Sequence, residues 1–165
     1  MTIVRQDKCR KGVMPLFQYT LRWYDALPRW LRGIVRLFHK LFLWMYKCDI
    51  PLGVKIGEGL YIGHPFCISI NQDTVMGRNC NIHKGVTLGC ENRGRRKGAP
   101  SIGNDVWIGV NATVVGKITV GDDVLIAPNS FVNFDVPSHS IVVGNPGVVY
   151  LREGATCGYI NNRVK

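Results

Sequence analysis

The chain has 165 residues and a mass of 18.5 kDa, the size of one domain. Its formal net charge of +10 and pI near 9.6 favour anionic partners such as phosphates, acidic glycans or lipids. Its six cysteines are scattered with no Cys-x-x-Cys pair, which argues against a zinc site and gives no sign of a disulfide framework.

Reduced, mostly packing cysteines in the cytoplasm are therefore expected. Residues 1–15 read as a mobile basic arm without the apolar core of a signal peptide. Residues 16–47 read as helix, broken near Pro28. In the second piece Trp30, Ile34, Leu37, Leu41 and Trp44 recur at spacings of three and four, and Arg29, Arg32, Arg36 and Lys40 line much of the remainder. Such a face is expected to pack on the first coil of a solenoid as its cap. The alternative is a helix lying on a membrane surface through residues 29–46, and the two can coexist. The most apolar stretch, 34–46, carries three basic or histidine residues and is too short to span a bilayer.

Repeats begin at Ile50 and continue through Ile56 and Ile62. After a slip of two residues they resume at Ile70, Met76, Ile82 and Leu88. A polar, glycine-rich and basic interruption at 89–101 reads as a loop thrown out from the scaffold, a common seat of function. From 102 to 137 the period is strict, with Ile102, Ile108, Val114, Val120, Ile126 and Val132 opening successive hexads. One inward apolar residue every six positions predicts short strands and tight turns, three to a coil, in a parallel β-helix. The segment after Val136 is expected to close the last coil. The chain thus divides into an arm and helical segment (1–47), a β-helix with its loop (48–150) and a tail (151–165).

The runs IGEGLYIGHPFCISIN, NIHKGVTLG and DVPSHSIVVGNP, with the eleven-residue step from Leu88 to Ala99 before Pro100, resemble the serine acetyltransferase branch of the hexapeptide-repeat acyltransferases. The short helical front, basic loop and GVTLG segment look closer still to small exopolysaccharide and capsule O-acetyltransferases of the colanic-acid type. The resemblance covers about two thirds of the chain. It implies an all-β fold, a left-handed parallel β-helix that trimerises, and acetyl transfer from acetyl-CoA to a hydroxyl.

That transfer needs a base near neutral pKa, which imidazole supplies. His64 falls at the branch's catalytic position, and Asp49 lies fifteen residues upstream (64 − 49 = 15), the offset of its carboxylate partner. His83 is expected to stack near Gly63, either holding the acceptor or simply exposed at a turn. His39 and His139 read as structural or surface residues. The resemblance places coenzyme A against Gly89, Cys90, Gly109, Val110 and Pro128, with Asn111 and Lys117 as weaker candidates. Small residues there let the cofactor approach the backbone closely.

Serine acetyltransferases carry an Asp directly before the catalytic His and an Arg-His pair before the loop-ending proline, which together hold serine. Here those positions are Gly63, Gly98 and Ala99. A zwitterion meeting no partners binds poorly, so a sugar hydroxyl of a surface polysaccharide or its precursor is the expected acceptor, with Arg95 and Arg96 meeting acidic groups. L-Serine acetylation is the alternative and a non-catalytic scaffold the remote one. A metal site is not expected, since the histidines lack the five-residue ligand spacing of the β-helical carbonic anhydrases. No nucleic-acid partner is expected, because charge alone suggests one. No cysteine synthase complex is expected, because the chain ends in Val164-Lys165 rather than isoleucine. The expected location is the cytoplasm, with peripheral contact at the inner membrane face possible.

Overall fold

The structure is a computed structural model that describes residues 7–9 and 14–164. An aliphatic residue every six positions can point inward from three faces only if the chain turns sharply between them, and the backbone does so. The first face stacks β1 (Lys8–Cys9), β3 (Tyr61–Ile62), β6 (Asn81–Ile82), β9 (Trp107–Ile108), β12 (Val124–Ile126), β14 (Ser140–Val143) and β15 (Val148–Leu151). The second stacks β4 (Ser69–Ile70), β7 (Thr87–Gly89), β10 (Thr113–Val115) and β13 (Phe131–Val132). The third stacks β2 (Lys55–Ile56), β5 (Val75–Met76), β8 (Ser101–Ile102) and β11 (Thr119–Val120). The result is a mostly β, parallel β-helix whose pairs run parallel until β15 turns back antiparallel on β14 and ends the stack. All six hexad leaders from Ile102 to Val132 are buried. Each such side chain contributes about 1.5–3 kcal/mol on burial.

The pairing register locates both irregularities of the repeat. Trp107 pairs with Leu125, eighteen residues on (125 − 107). Tyr61 pairs with Asn81, twenty residues on (81 − 61), yet Ser69 pairs with Thr87, eighteen on (87 − 69). The two extra residues therefore lie in the turn between β3 and β4, which carries His64. Val75 pairs with Ser101, twenty-six residues on (101 − 75), so the loop after β7 adds eight.

Helices α1 (Leu16–Trp23) and α2 (Arg32–Tyr46) cover the first coil. Phe17 is fully buried there, with Leu21, Phe42, Leu43 and Tyr46 packed beside it. His39 pins the pair to the solenoid. Its Nε2 donates to the Ile50 carbonyl at 2.7 Å, and its Nδ1 meets the Thr20 hydroxyl at 2.6 Å. Burial pushes the His39 pKa below the usual histidine value, in keeping with this neutral tautomer.

Three expectations are corrected. The stripe of Trp30, Ile34, Leu37, Leu41 and Trp44 does not face the first coil but lies exposed, and the opposite face of α2 makes the cap. The arm is not wholly mobile: residues 7–9 add β1 beside β3, and the buried Asp7 carboxylate receives Arg22 Nε at 2.7 Å. Residues 1–6 and 10–13 of that arm lie outside the described residues. Among the described cysteines only Cys80 is buried, its thiol pushed up to about 12 by desolvation, while Cys67, Cys90 and Cys157 are exposed.

The tail beyond β15 folds back on the solenoid. The Asp123 carboxylate accepts from the Ala155 and Thr156 amides and from the Thr156 hydroxyl. Asn81 Nδ2 donates to the Tyr159 carbonyl, and the Val164 amide donates to Asn79 Oδ1.

Candidate active site

The turn between β3 and β4 sits on the edge between the first and second faces. Its two extra residues let the chain bulge after Gly63, and neighbouring backbone fixes the bulge. The Cys67 amide donates to the Tyr46 carbonyl at 3.2 Å, and the Cys48 thiol donates to the Pro65 carbonyl at 3.6 Å. Asp49 follows directly. Its amide donates to Ile68 and its carbonyl accepts from Ile70, both at 2.8 Å, which extends the second face by one bridge to Ser69. The backbone at 46–49 thus lies along the turn that carries His64.

One coil further on, Ile82 pairs with Ile62, which sets His83 on Gly63. A Cβ on Gly63 would lie 2.7 Å from His83 Nε2 and closer still to its Cδ2. His83 Nδ1 donates to the Ile108 carbonyl at 3.0 Å, since a carbonyl can only accept. This leaves the Nε2 lone pair turned toward Gly63. Burial lowers the His83 pKa, the Ile108 bond opposes that, and neighbouring His64 adds to the lowering. The imidazole is therefore neutral near pH 7. Trp107 packs against it at 4.7 Å between ring centroids, and Tyr159 of the tail packs on Trp107 at 5.3 Å. Neither aromatic was expected beside the site, because both reach it only through the stacking of coils and the returning tail.

The basic loop occupies a different edge, between the second and third faces. It closes as a hairpin, with Glu91 and Gly98 exchanging amide bonds at 3.0 and 2.9 Å. Arg96 Nε is paired with Glu91 Oε1 at 3.0 Å, and the Lys117 amide donates to the Arg96 carbonyl at 2.8 Å. The Lys117 side chain lies against Gly98, so that a Cβ there would meet it at 3.1 Å. Arg95 is exposed on the hairpin.

One chain therefore splits the expected site. His64, His83, Gly109, Val110 and Pro128 share the first edge. There Gly109 lies so close beneath Pro128 that a Cβ would stand 2.6 Å from its nitrogen. Gly89, Cys90, Arg95, Arg96 and Lys117 share the second. His39 and His139 lie apart from both. His139 Nδ1 meets Asp123 at 2.9 Å and Glu153 at 3.3 Å, an arrangement that anchors the tail. Among the described residues no cluster of three or more His, Cys, Asp or Glu side chains could hold a metal ion.

Residues 99–133 match the family of bacterial transferase hexapeptide repeats (six repeats). The chain is 37% identical over 146 residues to a serine acetyltransferase of Synechococcus elongatus, covering 88% of this chain and 56% of that protein. Residues 99–133 thus carry the hexapeptide repeat of that family. The chain also superposes on the Neisseria gonorrhoeae serine acetyltransferase in complex with serine. The TM-score is 0.68 at 30% identity, over 81% of this chain and 53% of that one. A serine acetyltransferase in complex with CoA matches with TM-score 0.67 at 25% identity, over 81% and 54%. The chain spans between half and two thirds of the length of the curated relatives it matches.

These relatives correct the expected acceptor. Serine acetyltransferases at 37–40% identity overturn the reading of a polysaccharide O-acetyltransferase of the colanic-acid type. At position 63, where that branch carries an Asp, this chain has Gly, and the His83 imidazole occupies the space a side chain there would need. Among the described residues no helix is long and apolar enough to cross a membrane.

Proposed function

We propose that this protein is an acyltransferase that moves acetyl from acetyl-CoA to the hydroxyl of L-serine. The observation that carries the reading is its 37–40% identity to serine acetyltransferases, with Asp49 and His64 set along one turn. His64 takes the hydroxyl proton as the oxygen attacks the thioester carbonyl, and gives it to the departing thiolate as the carbon–sulfur bond breaks. Asp49 orients the His64 ring and steadies the imidazolium while the proton is held.

His83 supplies the acceptor contact that the absent aspartate would have made. Its Nε2 lone pair can accept a hydrogen bond from the amino group of serine, because Nδ1 carries the ring proton. Arg95 and Arg96 meet the serine carboxylate, Arg96 after giving up part of its bond to Glu91. The two edges face each other only between copies. The proposed assembly is a trimer of left-handed β-helices in which the hairpin of one copy closes the His64 edge of the next. Coenzyme A lies along that groove against Gly109, Val110 and Pro128 from one copy and Gly89, Cys90 and Lys117 from the other.

The test is thiol release from acetyl-CoA by purified protein. L-Serine should support turnover, while a neutral sugar or capsular glycan should not. Turnover with the glycan and none with L-serine would refute the proposal. Light scattering reporting a monomer would remove the shared groove.

A further inference from the structure

The outward face of α2 carries no chemistry of the acetyl transfer, yet it exposes a run of large apolar side chains. Trp30, Leu37 and Trp44 are 76%, 69% and 67% exposed, and Ile34 and Leu41 lie between them about half exposed. At about 100° per residue Ile34, Leu37, Leu41 and Trp44 fill a sector of roughly 80° on α2, with Arg36 and Lys40 along one border and Arg29 and Trp30 in the turn just before the helix. An apolar groove of about 360 Å³ between α1 and α2 continues the band through Phe38.

A second observation points to an anion. Arg29, Arg32 and Arg36 line one cavity of about 460 Å³ that shares Trp30 with the apolar band. Tyr24 holds two of these guanidinium groups. Arg36 Nε donates to its hydroxyl at 2.8 Å, and Arg32 stands 5.4 Å over its ring. Among the described residues none of the three arginines is ion-paired with a carboxylate. Three clustered cations without a counter-charge favour a phosphate-bearing ligand at this place.

We infer that the helical pair docks on an anionic lipid surface, with a headgroup phosphate in the Arg29–Arg32–Arg36 cavity and the Trp30–Trp44 band in the headgroup–acyl boundary. Charge decides the occupant. From residue 16 to residue 47 there are six basic residues and one acidic residue, Asp25. A second copy laid on this face would meet its own cations, whereas an anionic leaflet complements them. An apolar band beside a basic border is also the arrangement by which helices lie in a bilayer interface.

Co-sedimentation with vesicles tests the inference. The protein should pellet with three parts phosphatidylcholine to one part phosphatidylglycerol and stay in solution with phosphatidylcholine alone. Binding should weaken between about 0.1 M and about 1 M salt. Tryptophan emission should shift to the blue on binding. The Arg29→Ala/Lys40→Ala variant should bind about 5-fold more weakly for each charge removed. Leu37→Gln/Trp44→Gln should abolish pelleting with unchanged melting temperature and oligomeric state, since both positions are exposed. Absence of phosphatidylglycerol-dependent pelleting would overturn the inference. So would a change of oligomeric state in Leu37→Gln/Trp44→Gln, which would mark the band as a contact between copies. Serine acetylation is read separately, so neither result bears on the proposed reaction.

Discussion

The His83 imidazole fills the space that any side chain at position 63 would need, with its Nε2 2.7 Å from where a Gly63 Cβ would stand. The two positions are twenty residues apart in sequence and vertical neighbours in the solenoid. They behave as one unit, imidazole above and glycine below. An aspartate at 63 would require a smaller residue at 83.

That coupling is testable by exchange. Gly63→Asp alone should cost about 1–3 kcal/mol of stability through overpacking and lower turnover at least tenfold. Gly63→Asp/His83→Ala should recover stability and serine turnover together. Thermal melts and steady-state kinetics on the single and double variants check this, and additive losses would sink the pairing.

His64 and His83 should separate in kinetics. His64→Ala should lower kcat by at least about 100-fold, the size of a lost general base. His83→Ala should leave measurable activity and act chiefly on the KM for serine. Since the folded His83 pKa is lowered, the ring stays neutral to lower pH than an ordinary histidine. Its acceptor role should fail only as pH drops below 6.5. Equal losses in kcat from both variants would mean the base has been misassigned.

The buried ion pair under the first coil should be worth far more than a surface bridge. Asp7 is fully buried at its side chain and Arg22 nearly so, and Arg22 also donates to the Gly57 carbonyl at 2.8 Å. Arg22→Ala leaves the Asp7 carboxylate buried without its cation, a loss of about 3–5 kcal/mol. Denaturant melts of Arg22→Ala should show it, and a shift below about 1 kcal/mol would place the pair among ordinary surface bridges.

Helix docking should depend on pH through His39. A histidine whose folded pKa is lowered binds fewer protons folded than unfolded, so its contribution is complete above about 6.5 and is lost as pH falls below that value. Asp123 works at lower pH. The Thr156, Ala155 and His139 donors hold its pKa at about 2, so its grip on the tail is complete above the ordinary carboxylate range and fades as pH falls toward 2. Hydrogen exchange should therefore show α1 and α2 loosening between pH 7 and 5 while residues 155–159 stay protected. Simultaneous loosening of both would contradict the assignment.

The six-residue period alone determined the solenoid, because one inward aliphatic per short strand is a local rule that needs no distant partner. The irregularities of that period also fall at the turn that carries His64 and at the basic loop, since each inserts residues where a coil edge must bulge. Tertiary structure decided the rest. Periodicity could not choose the buried face of α2, because Val35, Phe42, Leu43 and Tyr46 form a second apolar sector opposite the Trp30–Trp44 stripe. The choice fell to His39, which finds hydrogen-bond partners in Thr20 and Ile50 only when turned inward. The meeting of His83 with Gly63, and of Tyr159 with Trp107, likewise depends on coil pitch and chain return. Both are distances between coils, fixed by how many residues each turn inserts.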